Sequence, residues 1–226
     1  MALLSEKDAQ YVRGFFDEHL ENPVEILLFT AAEGDELAAR KNPYLKETEE
    51  LIKTVAGLSD KLSLTIYRRG TDDETFEAYG IREVPATVLQ GPGGIDYGIR
   101  FYGIPAGYEF RTLMEDLVDV SRGTTSLSEK TKEALQSLAV DAHIQVFVTP
   151  TCPYCPKAVR IAHQFAIESP RVRADMVEAT EFPDWSQKYG VFGVPKTVIN
   201  DVEEIEGAVP EEFVLEALLR ATAVKA

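Results

Sequence analysis

Cysteine is almost absent from this chain of 226 residues, which has only two. That excludes the disulfide framework that staples small secreted domains. Basic residues are also scarce. Lys and Arg number 23 against 38 Asp and Glu, a formal net charge of −15. Nucleic acid and anionic membranes both call for a basic patch to displace counterions, so neither is an expected partner. No apolar run approaches the roughly 20 residues of a membrane span. The opening MALLSEKDAQYVRGFF lacks the basic segment and continuous apolar core of a secretory signal, so a cytoplasmic protein is expected. No Rossmann glycine fingerprint for FAD or NAD is present, and no cofactor is expected. Low Asn, Cys and Met content is compatible with a thermophilic source.

What the chain does contain is itself, twice. YGIREVPATV (79–88) aligns with YGVFGVPKTV (189–198) at an offset of 110. Upstream, EILLFT (25–30) parallels IQVFVT (144–149) at an offset of 119, and downstream Gly103-Ile104-Pro105 parallels Gly207-Ala208-Val209-Pro210. Unequal offsets imply insertions and deletions within duplicated domains rather than a short-period solenoid. A boundary near SRGTT divides the chain into 1–122 and 123–226, each of ordinary domain size.

Within the second copy, IQVFVT is rich in β-branched and aromatic residues and stops at Pro150, as a buried strand would. A helix is predicted from Cys152 to about Glu168, with apolar residues at spacings of three and four and with Pro153 and Pro156 in its first turn. RVRADMVEA reads as a strand and EFPDWSQKYG as a short helix ended by Gly190. Strands 195–201 and 202–208 and a helix at 210–224 complete the order β-α-β-α-β-β-α. The first copy repeats it, with helices near 43–56, 72–79 and 107–120. A leading helix precedes each copy, at 5–20 and at 126–139, the latter capped by Ser126 or Ser128.

The two cysteines stand three apart, at Cys152 and Cys155. Chance alone gives that spacing in roughly one such chain in a hundred. At a helix start, unpaired N–H groups and the helix dipole favour a thiolate and can lower a cysteine pKa from about 8.5 toward 3.5–7.5. Cys152 is thereby the expected nucleophile. Cys155, one turn deeper, is the expected resolving thiol that attacks the mixed disulfide.

This order, with Cys152-Pro153-Tyr154-Cys155 at the first helix and Val194-Pro195 before the third strand, resembles the thioredoxin/glutaredoxin superfamily. The duplicated form is similar to the thermophilic protein disulfide oxidoreductases. The resemblance implies an α/β fold of two tandem thioredoxin-like units, each a mixed central sheet flanked by helices. It further implies a redox-active Cys152–Cys155 disulfide, a cis bond at Pro195 and at Pro85, and substrate binding by Tyr154, Val194 and Pro195, with Thr149 and Pro153 shaping the site. Disulfide-containing proteins would be the substrates and a thioredoxin-reductase-like flavoprotein the electron partner. If Thr30 aligns with Thr149, the cysteines correspond to Glu33 and Glu36, and the first copy is redox-inert, a scaffold or docking surface. The acid that thioredoxins bury six positions before the first cysteine is replaced by Val146, which leaves the proton acceptor of Cys155 unnamed.

Other readings stay open. The N-terminal module of the alkyl hydroperoxide reductase flavoprotein also resembles this chain, having the cysteine pair only in its second unit, and would make a peroxiredoxin the partner. A redox-inert interaction scaffold is the alternative from another class. Glutathione-dependent chemistry fits less well, because Gly207-Ala208 stands where glutaredoxins carry Gly-Gly, within the acidic DVEEIEG. A zinc half-site would require further ligands, and His19, His143 and His163 offer no second pair at finger spacing, so no metal is expected. These histidines read as surface or partly buried residues, and Trp185 as packing for its short helix.

Overall fold

A computed structural model of the protein describes residues 4–223. Its centre is one eight-stranded mixed sheet in the order β2-β1-β3-β4-β6-β5-β7-β8. The strands are β1 (Val24–Thr30), β2 (Leu62–Arg68), β3 (Ala86–Gly91), β4 (Ile95–Tyr102), β5 (Ala142–Val148), β6 (Val172–Glu178), β7 (Lys196–Ile199) and β8 (Glu203–Glu206). The α/β class expected from the sequence is the class observed.

Strand alternation explains the layers. In β1, Ile26 and Leu28 join a core with helices α1 (Glu6–His19), α3 (Leu45–Ala56), α5 (Glu109–Arg122), α7 (Cys155–Glu168) and α9 (Glu211–Ala223). Leu27 and Phe29 point to the opposite face, under α4 (Asp73–Ala78) and α8 (Pro183–Lys188). Both faces being covered, β1 and β5 are almost wholly buried and read as continuous apolar runs. The helix α6 (Glu129–Gln136), capped by Ser128, leads the second set of elements and buries Leu135.

The halves meet strand to strand. β4 pairs in parallel with β6, from Ile99 against Ala174 to Tyr102 against Val177. Gly98 admits the close approach, because its φ is +81° and a Cβ there would lie 2.7 Å from the Val172 carbonyl oxygen. Trp185 does pack its helix, as expected, and it does so across this seam, edge-on to Tyr102 at 5.0 Å.

Three expectations need correction. The region between β1 and β2 holds two helices, since Asp35 accepts hydrogen bonds from Leu37 and Ala38 to start α2 (Glu36–Lys41) ahead of Asn42-Pro43. The second-copy helix begins at Cys155, not Cys152, so Pro153 precedes it and Pro156 occupies its second position. The upstream alignment shifts by one residue: Phe29 faces Ala86 and Phe147 faces Lys196, so the offset is 147 − 29 = 118. By that count, Cys152 and Cys155 correspond to Gly34 and Leu37 rather than to Glu33 and Glu36. Residues 1–3 and 224–226, including the end of the expected last helix, lie outside the described residues.

Candidate active site

β5 ends at Val148, and the next residues turn sharply, with the Cys152 N–H donating to the Thr149 carbonyl at 3.1 Å. Cys152 and Cys155 are joined as a disulfide with Cα atoms 5.5 Å apart. Cys152 is 7% exposed and Cys155 is 0% exposed, the asymmetry that an outer and an inner thiol would have. The Cys155 N–H donates to Cys152 Sγ at 3.1 Å. This donor opens α7, so the sulfur outside the helix still receives the favourable end of its dipole.

Opposite lies the loop before β7. The Val194–Pro195 bond is cis, as is Val84–Pro85 at the matching place in the first half. Cys152 Sγ is 3.7 Å from the Val194 carbonyl oxygen, which brings together the cysteine and proline segments that the sequence singled out. Tyr154 projects outward, 71% exposed. Thr149 supplies the turn, and Pro153 lies exposed on the surface between the cysteines. Val146 is fully buried in β5, so no carboxylate approaches from that strand position.

The first half also packs against this loop. Its Tyr108 N–H donates to the Pro150 carbonyl at 3.0 Å, setting the start of α5 against the loop before Cys152. Gly107 is obligatory there, because its φ is +61° and a Cβ would overlap the Pro150 carbonyl. Further along, Asp116 reaches Arg160 and His163, and Asp119 reaches Arg160 and Gln164. α5 and α7 thus pack side by side, and Glu109 lies seven residues, about two turns, before Asp116 on α5.

Glu109 is 1% exposed, accepts from the Thr112 hydroxyl at 2.6 Å through Oε2, and has no partner at Oε1. Burial raises its pKa to about 7; the Thr112 bond opposes this and the Asp116 charge adds to it. Such a group exchanges protons near neutrality. Sequence reasoning missed it, because a glutamate in the first turn of a helix reads as ordinary dipole compensation.

Behind it, Arg160 joins Glu115, Asp116 and Asp119. Burial works against the guanidinium charge, but Asp116 and Asp119 outweigh it and hold its pKa above the ordinary value. His163 is completely buried, contrary to the expectation for the histidines. It is bonded to Asp116 through Nδ1 and set edge-on to Phe101 at 4.9 Å. Among the described residues, no cluster of three or more His, Cys, Asp and Glu side chains is placed to hold a metal ion. No helix of the described residues is long and apolar enough to cross a membrane.

Residues 142–220 match the thioredoxin domain family. Fold and disulfide together place this chain among the thioredoxin-fold oxidoreductases, a family to which it belongs. More particularly, it is similar to a protein disulfide oxidoreductase from Aeropyrum pernix k1, with 34% identity and a TM-score of 0.87, over 99% of this chain and 95% of that one. It is also similar to AhpF, a component of the alkylhydroperoxide reductase of Enterococcus faecalis (V583), with 27% identity and a TM-score of 0.85, over 96% of this chain and 99% of that one. A curated relative, the same alkyl hydroperoxide reductase component of Xanthomonas campestris pv. phaseoli, is 28% identical over 155 residues, 69% of this chain and 27% of that protein. This chain spans between 27% and 36% of the length of the curated relatives it matches.

Proposed function

We propose that the protein is a cytoplasmic dithiol–disulfide oxidoreductase acting on protein disulfides, read as two thioredoxin-like units, 1–122 and 123–226. The observation that carries this is the Cys152–Cys155 disulfide, with Cys152 at the rim 3.7 Å from the Val194 carbonyl. In the reduced protein the Cys152 thiolate attacks one sulfur of a substrate disulfide. The other sulfur leaves as a thiolate and takes up a proton, and a mixed disulfide remains. Glu109 accepts the Cys155 proton, and the Cys155 thiolate attacks Cys152 Sγ. The second substrate sulfur is then released as a thiolate, which takes up a proton to become a thiol, and two electrons have passed to the substrate. Val194, Pro195 and Tyr154 hold the incoming segment, and Thr149 and Pro153 shape the turn. The first unit, which lacks cysteine, supplies Glu109 and a fixed scaffold.

A thioredoxin-reductase-like flavoprotein would return the electrons. The test is insulin reduction driven by such a reductase. Cys152→Ser should abolish turnover and Cys155→Ser should accumulate the mixed disulfide; full activity in Cys152→Ser would refute the proposal. A second reading is favoured by the likeness to the alkylhydroperoxide reductase component AhpF: the dithiol would pass electrons to a peroxiredoxin. Peroxide turnover that depends on reductase, this protein and a peroxiredoxin together, with little insulin reduction, would select it.

A further inference from the structure

In a chain with a net charge of −15, the four segments that build the surface around Cys152 contain no charged residue. They are 104–108 (IPAGY), 150–156 (PTCPYCP), 190–195 (GVFGVP) and 207–210 (GAVP). Backbone contacts hold them together. Tyr108 N–H donates to the Pro150 carbonyl at 3.0 Å, Gly207 N–H donates to the Pro195 carbonyl at 2.8 Å, and Val194 O lies beside Cys152 Sγ. Three aromatic rings on these segments are exposed. Tyr108 is 52% exposed, Tyr154 is 71% exposed and Phe192 is completely exposed.

An isolated exposed apolar side chain is unremarkable on a protein surface. Three rings around one disulfide, on a surface whose local charge departs so far from that of the whole chain, are a different matter. Aromatic side chains are the groups that protein contact surfaces concentrate, and charged groups are depleted from the centres of such surfaces. Here the depletion is complete across the four segments; the charged residues that adjoin them in sequence are Glu109 and Lys196, both buried, and Lys157, Glu206 and Glu211.

We infer that this rim selects protein disulfides whose flanking residues are uncharged and apolar, with Tyr108 of the cysteine-free half and Phe192 as specificity-determining residues. The inference rests on the thiol–disulfide exchange proposed above. An apolar residue beside the substrate cysteine removes ring surface from water when it docks. A charged residue in the same place would lose hydration with no counter-charge on the four segments to replace it. Small anionic disulfides such as that of glutathione are disfavoured on the same ground.

The test uses the full reduced chain and three disulfide-linked peptides of equal length, with Leu and Ala, Asp and Glu, or Lys beside the cysteines. The Leu/Ala peptide should have the highest kcat/KM, by about tenfold over either charged peptide, the scale of one well-packed aromatic contact. Phe192→Ser and Tyr108→Ser should each reduce that preference severalfold, and Tyr108→Phe should keep it. The preference should also persist in 1 M salt, where the Debye length is about 3 Å and the field of the acidic chain is screened. Equal kcat/KM for the three peptides, a preference for the Lys peptide, or a preference that salt abolishes would overturn the inference and leave the exchange reaction standing. Failure to reduce any of the three would overturn the exchange reaction and the inference with it.

Discussion

Replacing Glu109 by Gln should remove one component of the pH dependence of stability, with a size the structure sets. The Glu109 carboxyl is buried with one oxygen unpartnered, and its pKa is raised from the ordinary 4.5 to about 7. Native protein therefore favours the neutral form, whereas unfolding returns the group to water. The stabilisation is complete below pH 4.5, declines as pH rises and is gone once pH passes about 7. Inside that window each pH unit costs about 1.4 kcal/mol, so the whole change is about 3 kcal/mol. Gln stays neutral throughout and lacks it. Urea unfolding of the oxidised forms, wild type and Glu109→Gln, should give a stability difference that moves by about 3 kcal/mol in the variant's favour from pH 4.5 to above pH 7. Glu181 is raised to about 7 as well, chiefly by burial, but it is common to both proteins and cancels. A difference that stays flat with pH would refute the reasoning. With the reduced protein at pH 7, the variant should form the mixed disulfide at the wild-type rate and resolve it about 10²-fold more slowly, the usual contribution of a general base.

Arg160→Met leaves Asp116 buried without its cation and should cost about 3–5 kcal/mol in urea unfolding; Asp116→Asn in the same chain should restore part of it. Gly107→Ala forces a non-glycine residue into a positive φ and pushes its Cβ into the Pro150 carbonyl. About 1–3 kcal/mol of stability should be lost, read as a lower Tm. A fragment of residues 123–226 would expose the β6 edge that β4 covers, and it should self-associate in sedimentation where the full chain does not.

The repeat of Tyr-Gly-x-x-x-Val-Pro and the cysteine spacing were legible because both are local patterns, and they led to the fold class and to the pair that forms the disulfide. The one-residue error at Thr30 arose because two short apolar strands align equally well in either register; only the ladder partners Ala86 and Lys196 distinguish them. α2 was missed because it buries no residue and so shows no amphipathic pattern, its start depending on the Asp35 cap. Glu109 and His163 were illegible for another reason. Each is a polar residue on a helix: His163 takes its meaning from Asp116 on a partner helix, 47 residues away, and Glu109 from a burial that its local sequence does not announce. The joining of β4 to β6 left no mark in the pattern, since a strand buried at a seam has the same composition as one buried within a half.

That seam also bears on how the chain acquires its structure. β4 and β6 pair residues some 75 positions apart, from Ile99 with Ala174 onward, and contacts of such separation form slowly because the intervening chain must first be gathered. Until they form, β4 is an open strand edge, and the Tyr108 and Glu109 segment has no Pro150 loop to rest against. The oxidising or reducing capacity of Cys152 and Cys155 should thus be acquired late in refolding, after most secondary structure is in place. The time course of their reactivity would then report the docking of one half on the other.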